Sequence, residues 1–157
     1  MKILGIDPGT TRIGYGLIAS KGSSIALLDS GLLKISSADT HARLVDLADA
    51  YTELLHREQP ELIAFEKLFF AKNVTTGLAV AQARGVLLYL TAKENIPFLE
   101  FSPTEIKSQI AGYGSADKQT VATMVKRITG SPVIAGPDDV TDAIAVAIVA
   151  ASHRKFL

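Results

Sequence analysis

The chain has 157 residues, of which 48% are hydrophobic. This is enough for one core of ordinary size but short for two independent domains, so we expect a single domain over residues 1–157. Its 16 basic and 16 acidic residues cancel, so a charged partner has to be sought in local patches. The lack of cysteine excludes a disulfide scaffold and cysteine-based zinc or nucleophile sites, and the lack of a signal peptide or a long apolar stretch predicts a soluble, cytoplasmic protein without membrane contact.

The first part of the chain predicts three strands joined by turns. Apolar runs cover residues 2–7, 13–20 and 25–35, and the first of them stops at Pro8-Gly9. Connections this short favour antiparallel neighbours, because parallel pairing needs a longer crossover. We therefore predict an antiparallel meander whose first strand ends at the carboxylate of Asp7.

The rest of the chain predicts helices alternating with two more strands. In chain order these are a helix over residues 40–57, a strand over 62–66, a helix over 72–94, a strand over 97–101, short helices starting at Thr104 and Ala116, and a helix over 139–153. The run over 62–66 is almost wholly apolar, which is typical of a strand covered on both faces. The order of elements predicts an α/β fold with a mixed five-stranded sheet and helices on both faces.

Four carboxylates stand at the ends of predicted elements. Asp7 ends the first strand, Glu66 ends the fourth, and Asp139 and Asp142 open the last helix on one face. If the first and fourth strands are neighbours, Asp7 and Glu66 lie side by side at the carboxyl edge of the sheet, where the sites of α/β proteins form. Clustered carboxylates repel one another, so the group makes sense chiefly around a divalent cation, and oxygen ligands favour Mg²⁺ or Mn²⁺.

These acidic residues also have structural interpretations. Asp7 before a Pro-Gly turn suits a turn-former, and Asp138 or Asp139 suits a helix N-cap. Both Asp138 and Asp139 lie on the same helix face as Asp142, so the spacing alone leaves open which of them joins it in a metal site.

Features that suit phosphate or a nucleic-acid base surround the acidic residues in the sequence. A glycine-rich loop over residues 110–118 leads into a helix with Lys118 in its first turn, and Lys107 lies just before the loop, although Ser115 capping that helix would explain the loop without a ligand. Phe69, beside a second phenylalanine in a predicted loop, suits stacking on a base or folding back over the sheet.

A basic stretch follows Glu66 in the sequence. Between residues 66 and 93 Glu66 is the only acidic residue, whereas there are several basic residues, Lys72 and Arg84 among them. This predicts a basic stripe near the acidic site, with a solvated helix face as the ordinary alternative.

Taken together, the motifs resemble the RuvC-type Holliday-junction resolvases over essentially the whole chain. The segments that carry the resemblance are Gly5-Ile6-Asp7-Pro8-Gly9, Glu66 with Phe69 and Ala71-Lys72-Asn73, Gln82-Ala83-Arg84-Gly85, Lys107, Gly114-Ser115-Ala116 with Lys118, and Asp139-Val140-Thr141-Asp142-Ala143. The opening motif alone also resembles the phosphate loop of actin-like kinases and ATPases.

The resemblance implies a ribonuclease-H-like fold and a homodimer that binds four-way DNA junctions and nicks two strands symmetrically, leaving 5′-phosphate and 3′-hydroxyl ends. A branch-migration motor is the partner it implies, and the small residues of the helix over 72–94 suit the dimer contact. It assigns catalysis and the binding of Mg²⁺, with Mn²⁺ as a substitute, to Asp7, Glu66, Asp139 and Asp142. The DNA contacts that we expect on this basis are Phe69, Lys72, Arg84, Lys107 and Lys118.

Three other functions compete with this one. One half of an actin-like kinase or ATPase would need a second domain to clamp a nucleotide, and 157 residues provide one domain. A non-catalytic junction-binding scaffold is disfavoured by the intact acidic residues. A ribonuclease-H-like nuclease that processes RNA is compatible with the sequence.

Overall fold

The computed structural model describes residues 1–9, 12–67 and 74–153. Its elements, in chain order, are β1 (Lys2–Asp7), β2 (Gly14–Lys21), β3 (Ser24–Leu32), α1 (Thr40–Glu58), β4 (Leu62–Glu66), α2 (Val74–Lys93), β5 (Phe98–Phe101), α3 (Pro103–Ala111), α4 (Lys118–Thr129) and α5 (Asp138–His153). Each begins within a few residues of its predicted position, because apolar periodicity is a local property of the chain.

The strands form one mixed sheet in the order β3-β2-β1-β4-β5. β1 pairs antiparallel with β2, and β2 pairs antiparallel with β3, so the predicted meander is confirmed. β4 lies parallel to β1 and to β5, with Ile6 of β1 opposite Phe65 of β4. This register brings Asp7 and Glu66, the next residue of each strand, to the same edge of the sheet.

Helices cover both faces of the sheet, as the sequence predicts. On one face α1 and α2 pack on Leu4 and Ile63, and on the other α3, α4 and α5 pack on Ile3 and Leu62. Successive residues of a strand point to opposite faces, so the buried residues of β1 and β4 carry no charged side chain on either side of the sheet. Among the described residues, none of the helices is long and apolar enough to span a membrane.

The position of α5 depends on glycines in the strands beneath it. A Cβ atom on Gly5 would lie 2.0 Å from the carbonyl oxygen of Ala143, and one on Gly14 would lie 2.0 Å from the carbonyl oxygen of Asp139. The helix backbone therefore rests directly on β1 and β2, at a distance that any side chain at these positions would prevent. This contact fixes where the first turn of α5 presents its carboxylates.

Two predicted helix caps are wrong. α4 is capped by Asp117, whose carboxylate accepts a hydrogen bond of 2.7 Å from the backbone N–H of Thr120, and not by Ser115. α5 already includes Asp138 and Asp139 in its first turn, so neither residue precedes the helix as a cap. A carboxylate two residues nearer to the first free N–H groups of α4 satisfies them better than the serine can.

Candidate active site

The candidate site begins with the two carboxyl groups at the ends of β1 and β4. Asp7 and Glu66 are the last residues of neighbouring parallel strands, and their side chains are close enough to share a hydrogen bond. Both are only partly exposed. The first and fourth strands are therefore adjacent, as the predicted site required.

The N-terminal part of α5 adds the carboxylates of Asp139 and Asp142. Burial, followed by repulsion from Glu66, Asp142 and Asp139 in that order, raises the pKa of Asp7 to about 7. Burial also raises the pKa of Glu66, where Asp142 adds to the effect. The four predicted acidic residues thus lie within electrostatic reach of one another, and keeping them all ionised is costly.

Asp138 and Asp139 differ in their surroundings, although their spacing from Asp142 does not separate them. The side chain of Asp139 is 24% exposed and contributes to the raised pKa of Asp7, whereas that of Asp138 is 78% exposed. This difference favours Asp139 over Asp138 as the partner of Asp142.

Two basic side chains pair with the carboxylates of α5. Arg12 Nε lies 3.4 Å from Asp139 Oδ2, and Lys118 Nζ lies 3.5 Å from Asp142 Oδ2 and 3.6 Å from Asp138 Oδ2. Burial raises the pKa of Asp142, and Lys118 opposes this effect. Each carboxylate of this helix turn therefore has a basic partner from another part of the chain.

The acidic residues fit a divalent cation in their chemistry. The donors are all carboxylate oxygens, which Mg²⁺ and Mn²⁺ prefer. The raised pKa of Asp7 reflects burial and, after it, a repulsion between carboxylates that a cation would relieve. Within the described ranges, however, no three acidic or histidine side chains converge closely enough to hold an ion. Since Asp139 and Asp142 are engaged with Arg12 and Lys118, a cation would have to take these carboxylates from their basic partners.

A cavity of about 300 Å³ lies beside the acidic residues. It is lined by Glu66, Pro103, Ile106, Lys107, Lys118, Val121 and Asp142. Lys107 is close enough to Glu66 to oppose the rise in the pKa of that carboxyl group. The two predicted phosphate-binding lysines, Lys107 from α3 and Lys118 from α4, therefore border the same open space as two of the acidic residues.

The remaining predicted DNA contacts have different outcomes. Arg84 lies on α2, where its side chain is 19% exposed and pairs with Glu100 of β5. Its role in DNA binding stays a prediction, and this ion pair competes with that role. Phe69 and Lys72 lie outside the described residues.

Arg12 is a residue of the site that no sequence motif indicated. The residue stands only five positions after Asp7, which is the one hint that the sequence offers. Its contact with Asp139 depends on how α5 packs across β1 and β2, and no local pattern reports this packing.

Comparison with known proteins places these observations in a family. The family model described as "Crossover junction endodeoxyribonuclease RuvC" matches residues 3–150. A relative of that name from Moorella thermoacetica is 44% identical over 157 residues, which cover 99% of this chain and 94% of the relative. Another from Thermomicrobium roseum is 41% identical over 149 residues, which cover 94% of this chain and 91% of the relative.

Solved structures show the same fold. The structure of Thermus thermophilus RuvC matches with a TM-score of 0.88 and 32% identity, covering 99% of this chain and 97% of that one. T. thermophilus RuvC in complex with Holliday junction substrate matches with a TM-score of 0.92 and 32% identity, covering 99% and 96%. The expected ribonuclease-H-like fold is confirmed.

Proposed function

Because the chain belongs to the RuvC family of crossover junction endodeoxyribonucleases, we propose that it resolves four-way (Holliday) DNA junctions in recombination and repair. The observation that carries the proposal is that Asp7 and Glu66 end neighbouring strands at one sheet edge, where Asp139 and Asp142 of α5 lie close enough to raise the pKa of Asp7. It is supported by the similarity, at a TM-score of 0.92, to a RuvC protein in complex with a Holliday junction substrate.

In the proposed reaction, Asp7, Glu66, Asp139 and Asp142 hold divalent cations, Mg²⁺ or in its place Mn²⁺. The bound cations would supply an activated water and stabilise the departing 3′-oxygen in an in-line displacement. The protein's own task is to keep these carboxylates at fixed positions at neutral pH. Cleavage of this kind leaves 5′-phosphate and 3′-hydroxyl ends.

The basic side chains around the cavity orient the DNA in this proposal. Lys107 and Lys118 border the open space next to Glu66 and Asp142, where they can neutralise the phosphates on either side of the cleaved bond. Because the binding and cleaving groups are different residues, the protein should hold a junction without metal.

Symmetric nicking of two strands requires two active sites, and we infer a homodimer through α2. Leu78 and Tyr89 of this helix are 62% and 64% exposed, and they lie on the same face with Gly85 between them. Large exposed apolar side chains arranged in this way are typical of a protein interface. A twofold dimer suits the twofold symmetry of a four-way junction.

We further propose that the protein works in the cytoplasm with a branch-migration motor as its partner. Such a motor would bring the junction to the dimer and move the crossover to a cleavable position.

The test compares a four-way junction, a linear duplex and a structured RNA, each with and without Mg²⁺. We expect paired nicks in the junction only, and only with Mg²⁺. Cleavage of the RNA in preference to the junction would indicate an RNA-processing nuclease, and binding of the junction without cleavage would indicate a scaffold. Glu66→Gln is the matched control, which should shift the junction on a gel but lose nicking by several orders of magnitude.

A further inference from the structure

Arg12 has a long, exposed side chain and directly precedes a residue that is held in place. Its neighbour Ile13 is 1% exposed, and the carbonyl oxygen of Ile13 accepts a hydrogen bond of 2.9 Å from the backbone N–H of Leu33. The side chain of Arg12 is 59% exposed. Because this side chain is exposed, the guanidinium can change its partner by rotation of the side chain.

The pairing of Arg12 differs from that of Lys118 in one respect. Lys118 contacts two carboxylates, so it keeps Asp138 if Asp142 turns to another cation. In the described part of the chain, Arg12 pairs with Asp139 only. Arg12 is thus the cation that loses its protein partner when Asp139 is taken by a metal ion.

The contact with Asp139 uses Nε of Arg12, and the terminal nitrogens of a guanidinium carry four further N–H groups in a planar fork that matches phosphate. A divalent cation at Asp139 would also repel the guanidinium. Repulsion by the cation and attraction to a phosphate therefore both favour moving the guanidinium of Arg12 from Asp139 to the DNA.

We propose that Arg12 is a transferable counter-charge that neutralises Asp139 in the metal-free protein and binds a phosphate of the junction once a divalent cation occupies Asp139. The inference rests on the proposed function, and it assigns Arg12 a part in coupling two binding events. Metal and junction then strengthen each other's binding by the same factor, because such coupling is reciprocal.

The test measures junction affinity by fluorescence anisotropy for the wild type and Arg12→Gln, in EDTA and in Ca²⁺, over a series of salt concentrations. Gel analysis confirms that the junction stays intact in Ca²⁺. We expect Arg12→Gln to weaken binding several-fold in Ca²⁺ but hardly in EDTA. The salt dependence of binding in Ca²⁺ should fall by about one phosphate contact. Arg12→Lys should recover most of the affinity.

Arg127→Gln is the matched control, since it makes the same charge change at an exposed position in the last turn of α4. Arg127→Gln should change the junction affinity by the same factor in EDTA and in Ca²⁺. A second readout needs no DNA: the thermal shift of the protein on titration with Ca²⁺. Removal of the competing guanidinium should lower the half-saturating Ca²⁺ concentration of Arg12→Gln several-fold.

Equal weakening by Arg12→Gln in EDTA and Ca²⁺ would show a permanent phosphate contact and overturn the transfer. Unchanged junction affinity in both EDTA and Ca²⁺ would show that Arg12 does not bind DNA, and this would also overturn the transfer. A higher half-saturating Ca²⁺ concentration for Arg12→Gln would overturn it as well. If the wild type binds no junction, the proposed function fails, and the phosphate role of Arg12 fails with it. The thermal shift still decides whether Arg12 competes with the cation.

Discussion

Replacing Asp7 with asparagine should stabilise the metal-free protein at neutral and alkaline pH. The pKa of this carboxyl group is raised from 3.8 to about 7, first by burial and then by the neighbouring carboxylates. At 1.36 kcal/mol per pKa unit, holding Asp7 ionised in the folded protein costs on the order of 4 kcal/mol. Asparagine has nearly the same shape and carries no charge, so Asp7→Asn removes this cost.

The pH dependence of this stability difference follows from proton binding to Asp7. Between pH 4 and 7 the folded protein holds a proton on Asp7 that the unfolded chain has released, so the free energy of unfolding falls as the pH rises. Asp7 is fully protonated in both states below this window and ionised in both above it. The difference between Asp7→Asn and the wild type should therefore be small at pH 4 and reach roughly 2–4 kcal/mol at pH 8, the lower figure allowing for relaxation around the site.

The assay is urea unfolding in EDTA from pH 4 to pH 8. Asp49→Asn, at an exposed position of α1 away from the site, is the control and should follow the wild type at every pH. With Mg²⁺ added, the wild type should gain stability and Asp7→Asn should gain much less. If Asp7→Asn is no more stable than the wild type at pH 8 and shows the same pH dependence, burial and repulsion do not penalise the ionised Asp7 as the structure indicates.

Three further outcomes are expected. Gly14→Ala should lower stability by about 1–3 kcal/mol and raise the Mg²⁺ concentration needed for nicking, because its Cβ would collide with the carbonyl oxygen of Asp139. Thermal unfolding and an Mg²⁺ titration of the nicking rate check this, and an unchanged Mg²⁺ requirement would contradict it. Asp139→Asn should cut the nicking rate at fixed Mg²⁺ sharply while Asp138→Asn changes it little, and the opposite result would exchange their roles. Tyr89→Glu should give monomers in light scattering, whereas Val45→Glu, at an equally exposed apolar position on α1, should leave the dimer intact; a dimer in both variants would place the interface elsewhere.

Much of the fold could be predicted because its signals are local. The strand that ends at Asp7 and the one that ends at Glu66 have the predicted bounds, since an apolar run and its stop signal lie within a few neighbouring residues. The antiparallel meander followed from its short connections. The same local reasoning failed at the start of α4, where Asp117, two residues after the expected cap Ser115, caps the helix.

The sequence by itself thus determined the elements, the mixed sheet and the acidic residues that stand at element ends. Only the tertiary structure decided which of the other groups meet: Arg12 beside Asp139, and Arg84 with Glu100. The physical reason is that these contacts join residues far apart in the chain. They depend on how deeply and at what rotation α5 and α2 pack on the sheet, and this is set by close contacts such as that of Gly14 with the backbone of α5.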